Sequence, residues 1–404
     1  MRRITWFLLL AFVFAMPWEY SLDLGNGVGD IARLLGLVVL LFAIPSILQS
    51  RGMRMPGPVQ WITLGIFVWF CLTLFWSINP DETLMKVRGY FQELMIVWLL
   101  WEFVTTVEDL RTILRTWLAG SWVLAALTAF TFLTATAANR IRFMPIGQDP
   151  NDVARYLDLA LPIAAYLLIA EDRWHWRLHA LGYFPVALAA VILTASRAGV
   201  LVAVVTLLGS CLLLVMRYPR GFFASFLALG ALSVAFLFTI PEGTIGRIAT
   251  TLAQINGGDL NQRANIWQAG WTAFTEAPLI GTGAGTFVEA AGLSPIDTAH
   301  NTALSVAVEG GLIALMLGAA IASFALFSTW KARQPLRGAL LTAFAVWLCL
   351  SMVGTTGESR KTWLLFGVMA LAGRLCARPP DSESVPAAAP LCNGTHFGEP
   401  AQAL

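Results

Sequence analysis

A set of basic residues stands where an apolar chain has no packing use for them. Arg140, Arg142, Arg197, Arg247, Arg263, Arg360 and Lys361 lie at breaks between long apolar runs or within one long polar segment, 241–299. A guanidinium presents a planar fork of donors that fits phosphate oxygens, so the set reads as a site for a phosphate or pyrophosphate. The same residues also fit lipid headgroups, or ion pairs with neighbours such as Asp149 and Glu358. Arg197 is the sharpest, because it interrupts an apolar stretch from about Leu178 to Met216. A charge there marks a functional site by default, unless its side chain snorkels to headgroups.

His300 stands where the long segment enters an apolar run, followed by Asn301 and then by Ser305 and Glu309. An imidazole titrating near 6.5 accepts a proton around neutrality, so His300 can serve as a base toward a hydroxyl. It can equally cap or hydrogen-bond a helix start. Glu309, nine residues on, lies roughly 13 Å along a helix, too far to pair with His300, and reads as a buried hydrogen-bond partner. Asp152, Arg155 and Asp158 recur at three-residue spacing, neutralise one another on one helix face, and read as architecture. Trp267 and Trp271, one turn apart, fit membrane-interface anchoring better than stacking on a substrate ring.

The elements that must hold these residues follow from composition. The chain has 404 residues, 57% hydrophobic and 12% charged, with a mean hydropathy of +0.70. A soluble domain carries roughly 25% charged residues. A cytosolic enzyme, a nucleic-acid binder and a disordered scaffold are therefore excluded together, leaving an all-α integral membrane protein. A bilayer core needs roughly 20 apolar residues per helix, and about twelve such spans emerge, at 4–20, 31–48, 59–76, 91–105, 113–135, 153–170, 179–195, 198–216, 222–240, 300–329, 338–356 and 362–377. An outer-membrane barrel would show short alternating segments instead. The first span reads as a retained helix, since no small-x-small cleavage site closes it.

Basic residues in the short loops put both termini inside. Residues 1–240 then carry nine spans, 241–299 form a large outer loop with an amphipathic helix over Asn261–Thr275, 300–377 carry three spans, and 378–404 read as a disordered cytoplasmic tail. The glycine run Gly281-Thr282-Gly283-Ala284-Gly285 lacks the Gly-Lys-Ser/Thr ending of a phosphate loop and reads as a turn in a compact external domain. Neither cysteine nor histidine spacing indicates a metal site.

Several of these motifs resemble the O-antigen ligase family, related to Wzy-type polysaccharide polymerases. The likeness rests on Gly147-Gln148-Asp149-Pro150-Asn151-Asp152, Thr194-Ala195-Ser196-Arg197-Ala198-Gly199, Arg263 with Ile266-Trp267, Pro278 to Gly283, and His300-Asn301 with Glu309-Gly310-Gly311. It covers roughly residues 140 to 375, and Thr302-Ala303 departs from it where an aromatic is common. The resemblance implies a polytopic bacterial inner-membrane glycosyltransferase of GT-C type with a large periplasmic loop. It further implies His300 as catalytic base and Arg197 and Arg263 as pyrophosphate ligands. Arg140 and Arg142 match more loosely, and Arg360 less still, so these three rest on charge and side. Asn301 and Glu309 enter as supporting residues. The implied donor is an undecaprenyl-pyrophosphate-linked glycan and the implied acceptor lipid A-core oligosaccharide, with no cofactor, metal or nucleic acid. A Wzy-type polymerase and a protein O-oligosaccharyltransferase would use the same residues. A lipid-linked glycan transporter should instead show paired inverted repeats, and no convincing internal repeat is present.

Overall fold

The computed structural model describes residues 1–22, 30–50, 52–135, 141–218, 240–250, 262–295 and 297–376. Its elements in order are α1 (Arg2–Ala15, continued by a 3₁₀ turn Met16–Ser21), α2 (Ile31–Gln49), α3 (Pro58–Leu72), α4 (Pro80–Phe103), α5 (Val107–Leu133), α6 (Pro150–Ala170), α7 (Trp174–Leu193), α8 (Arg197–Arg217), α9 (Glu242–Ala249), α10 (Arg263–Glu276), α11 (Phe287–Ala290), α12 (Thr302–Lys331), α13 (Leu336–Val353) and α14 (Arg360–Leu375). Among the described residues the fold is helical without a strand. Among the described residues nine helices, the 3₁₀ extensions of α1 and α3 included, are long and apolar enough to cross a membrane. Each expected span except the ninth coincides with a helix. The ninth, 222–240, falls almost wholly outside the described residues, as do the tail 378–404 and Arg140.

Helix starts follow their caps. The side chains of Asp30, Asn79, Thr106, Asp149, Ser196 and Asn301 each accept a backbone N–H of the first turn of α2, α4, α5, α6, α8 and α12, which satisfies donors that a helix start leaves free. The fourth span was expected over 91–105, whereas α4 begins at Pro80. Its first half carries Asp81, Glu82, Lys86 and Arg88, too polar for a hydropathy reading, but Lys86 is turned into the bundle, where it pairs with Glu309.

The packing is that of a membrane bundle. Rows of large apolar residues face outward, as with Leu34, Leu37, Leu41, Ile44 and Leu48 on α2. Such a stripe at helical spacing needs an apolar surround. By contrast, α6 and α14 are buried on nearly every side and form the bundle's centre.

The helix α12 is broken at Gly311, which sits at φ 67° and ψ −167°. The glycine-rich segment fills the break. Thr282 and Gly283 donate their N–H groups to the carbonyls of Val308 and Glu309 at 2.9 Å each, and Leu312 N–H reaches the Pro278 carbonyl at 2.8 Å. Backbone groups released inside a membrane helix must find such partners. The run therefore serves as a strap across a broken helix, a role its spacing did not show.

At one end of the bundle a buried ion cluster ties five helices together. Arg360, at the start of α14, donates to Glu19, to Asp30 at 3.2 Å and to Gln92 at 2.8 Å, while the Tyr156 hydroxyl donates to Glu19 at 3.0 Å. Arg360 was grouped with the anion-binding arginines by charge and side. The structure turns its guanidinium inward, where carboxylates already occupy it, so its contribution is to the bundle. Arg360→Met would leave Glu19 and Asp30 buried without a counter-charge, which costs about 3–5 kcal/mol. Thermal unfolding in detergent should show a large drop in melting temperature; an unchanged value would make the cluster dispensable.

Candidate functional site

The N-terminus of α6 is the centre of the site. Asp149 caps it, accepting from Asn151 N–H at 2.8 Å and Asp152 N–H at 3.3 Å, with Gly147 at φ 79° turning the chain into the cap. Asn151 then links two further segments through its side-chain oxygen. It accepts from the Ser196 hydroxyl at 2.8 Å and from the Arg142 guanidinium at 3.4 Å, and Arg142 also donates to the Thr194 carbonyl at 3.1 Å. The start of α8 is thereby fixed against α6.

Arg197 donates to the Arg247 carbonyl at 3.0 Å and to the Thr250 hydroxyl at 3.2 Å, and Arg247 donates back to the Ala195 carbonyl at 3.3 Å. Three arginines from three segments are thus held near one another largely by backbone carbonyls. Burial first, then the charges of Arg247 and Arg197 against that of Asp149, pushes the Arg142 guanidinium below its ordinary range. Like charges brought together in this way favour an anion among them.

The second half of the site faces α12. Arg155 pairs with Asp152 at 2.7 Å, and Arg263, half-buried at the start of α10, makes no hydrogen bond or ion pair among the described residues. Burial and the neighbouring Arg155 push the Arg263 guanidinium below its ordinary range. His300 lies beside both. Burial first, then Arg263 and Arg155, lowers its imidazole below the ordinary 6.5, while Asp149 and Asp297 oppose them. The imidazole is therefore neutral at pH 7 and able to accept a proton. The Thr298 hydroxyl lies 3.3 Å from each ring nitrogen.

The backbone around these residues is unusual in one respect. Among the described residues, the non-glycine positions with positive φ are Ala195 (49°), Gln262 (64°) and His300 (47°). They stand two residues before Arg197, next to Arg263, and at the histidine itself. Left-handed backbone without glycine is costly and concentrates at functional sites.

The histidine's loop is held from both sides. Trp267 on α10 donates to the Ala299 carbonyl at 3.0 Å, while Ile266, Gly270 and Ala273 of the same helix are buried. The helix expected over Asn261–Thr275 therefore packs onto the start of α12, and Trp267 positions His300's loop instead of anchoring at an interface. Trp271 remains 61% exposed. On the other side, Asn301 caps α12 by accepting from Leu304 N–H at 3.0 Å, and the Thr302 hydroxyl donates to the Gly354 carbonyl at 2.8 Å. Glu309 accepts from the Ser305 hydroxyl at 3.0 Å and from Gly285 N–H at 2.9 Å, and pairs with Lys86 at 3.3 Å. It supports the strap and the bundle, away from His300.

One residue of the site is not legible from its neighbours. Arg155 was read as one of three mutually neutralising residues, but only Asp152 pairs with it. Asp158 is fully buried with neither carboxyl oxygen hydrogen-bonded. Lys361 is 4% exposed, its ammonium 3.0 Å from the centre of the Tyr156 ring, with no ion pair among the described residues. The sequence groups Lys361 with the basic residues of the site, and the fold sets it against Tyr156 of α6. A Cβ on Gly354 would collide with the Arg155 guanidinium. Gly354→Ala should therefore displace Arg155 and lower turnover by about 10², with the melting temperature little changed. Wild-type turnover in this variant would remove Arg155 from the site.

The described residues form an apolar helical bundle of the kind that crosses a membrane, with several arginines and a histidine gathered at one end. Residues 182–319 match the family model described as O-antigen ligase. The matched segment holds Arg197, Arg247, Arg263, His300, Asn301 and Glu309. No curated protein matches the chain. The match supports, at a coarse level, a membrane enzyme of the ligase and polymerase type.

Proposed function

We propose that the chain transfers O-antigen polysaccharide from undecaprenyl pyrophosphate to a sugar hydroxyl of lipid A-core oligosaccharide, on the periplasmic face of the inner membrane with both termini cytoplasmic. The observation that carries this reading is Arg263, without a hydrogen bond or ion pair among the described residues, near Arg155 and His300, with Arg263 and His300 inside the matched segment. In the mechanism, the His300 imidazole takes the proton of the acceptor hydroxyl as its oxygen bonds to the anomeric carbon. The bond from that carbon to the pyrophosphate oxygen breaks, and the pyrophosphate leaves carrying the electron pair. Arg155 and Arg263 stabilise the charge that develops on it, with Arg142, Arg197 and Arg247 holding the more distant phosphate. Direct displacement inverts the anomeric centre. The donor is already activated, so neither nucleotide nor metal is required. Both substrates share one membrane, which lowers the entropic cost of bringing them together.

The test is transfer by purified protein from undecaprenyl-pyrophosphate-linked polysaccharide to lipid A-core, without nucleotide and with chelator. Product on the core supports the reading. Chain growth from lipid-linked repeat units, with none transferred to the core, would replace it with a polymerase.

A further inference from the structure

A groove opens on the side of the bundle, between α2 and α4, with a volume of about 650 Å³. Its walls have two distinct ends. At the end formed by the starts of α2, α4 and α14 it is lined by Arg33, Lys86, Arg88 and Arg360. Further along it is lined by Leu40, Phe67, Met95 and Leu99. A charged head over an apolar trough has the form of a membrane lipid, and the groove lies beside the outward apolar row of α2.

The charges at the head are not equivalent. Arg360 is occupied by Glu19 and Asp30, and Lys86 by Glu309 and Glu358. Glu93, the remaining acid of the wall, is buried. The guanidiniums of Arg33 and Arg88 are exposed, and neither makes a hydrogen bond or ion pair among the described residues. Two free guanidiniums at the rim of a membrane groove favour a phosphate, which each can grip through paired N–H donors. The groove is also close to the site already described. Thr302, two residues after His300, bonds Gly354 and Thr356 on one side of a short turn, and Glu358 and Arg360 at the turn's far end line the groove. One turn of chain separates the two.

We infer that this groove is the berth of the acceptor, a lipid with a phosphorylated headgroup gripped by Arg33 and Arg88, its acyl chains in the trough and its sugars reaching over the 354–359 turn to His300. The assignment rests on the proposed transfer reaction for the word acceptor, but not for the binding itself. It gives the enzyme two anion sites, one for each lipid-linked substrate, on opposite sides of that turn.

The experiment measures binding of lipid A, of its dephosphorylated form and of undecaprenyl pyrophosphate to the full chain in detergent by native mass spectrometry. The variant Arg33→Gln/Arg88→Gln should bind lipid A about ten- to a hundredfold more weakly, the range expected for lost charged hydrogen bonds, and undecaprenyl pyrophosphate as wild type does. Arg33→Lys/Arg88→Lys should recover part of the loss, and dephosphorylated lipid A should bind wild type weakly. Unchanged lipid A binding in the glutamine variant would overturn the assignment. So would equal affinity of wild type for both forms of lipid A, which would mean that the arginines merely reach for bulk headgroups. Parallel loss of undecaprenyl pyrophosphate would reduce the two sites to one. The phosphate-dependent loss without any transfer activity would sustain the groove while removing the proposed reaction. Transfer with an unaltered acceptor KM in the glutamine variant would do the reverse.

Discussion

His300→Ala lowers the rate of glycan transfer about 10²- to 10⁴-fold, the contribution of a positioned base, while donor binding and melting temperature stay near wild type. The imidazole is half-buried and its neighbours within the site are arginines, so its removal leaves the anion site intact. The pH profile gives an independent check. Burial, then Arg263 and Arg155, holds the imidazole below its ordinary 6.5. The neutral form is the active one, so wild-type transfer should stay level as pH falls to 6.5 and decline only below it. The same depression stabilises the fold above pH 6.5, and that contribution is lost as pH drops through the lowered value. Undiminished transfer by His300→Ala, or an acid limb above 6.5, would remove the histidine from the role of base.

Arg263→Gln should lower kcat by about 10²- to 10³-fold, the usual effect of deleting one group that stabilises developing charge. Arg263 has no competing partner among the described residues, so little stability is at stake. It also helps to lower the His300 imidazole. The acid limb in Arg263→Gln should therefore move up toward 6.5, a shift that a residue of purely structural importance would not produce. A kcat within a few-fold of wild type and a stationary limb together would mean that Arg263 does not meet the leaving group.

Local chemistry was legible in the sequence wherever it was written in neighbouring residues. Apolar runs announced the spans, and Asp149, Ser196 and Asn301 announced helix starts through their own first turns. Features that depend on partners far along the chain were not. Asp81, Glu82, Lys86 and Arg88 make the first half of α4 look like a loop, because the carboxylate of Glu309 that pairs with Lys86 lies far along the chain. The glycine strap and the Trp267 bond to Ala299 pair residues 26 to 34 apart, with no periodicity to betray them. Arg155 was assigned to its local acids because three-residue spacing is visible and the approach of Gly354 and Arg263 is not.

The left-handed turns at Ala195, Gln262 and His300 bear on how this protein can be improved. Each such turn carries about 1–3 kcal/mol of local cost, and a search for hardier variants would be drawn to glycine at Ala195 and Gln262. The relief would come with looser chain on either side of Arg197 and Arg263, and guanidiniums that wander cannot meet a leaving group at a fixed point. Selection for heat resistance alone should thus enrich changes that erode turnover. Selection for turnover should keep these positions closed to glycine and place its stabilising changes in the lipid-facing helices instead.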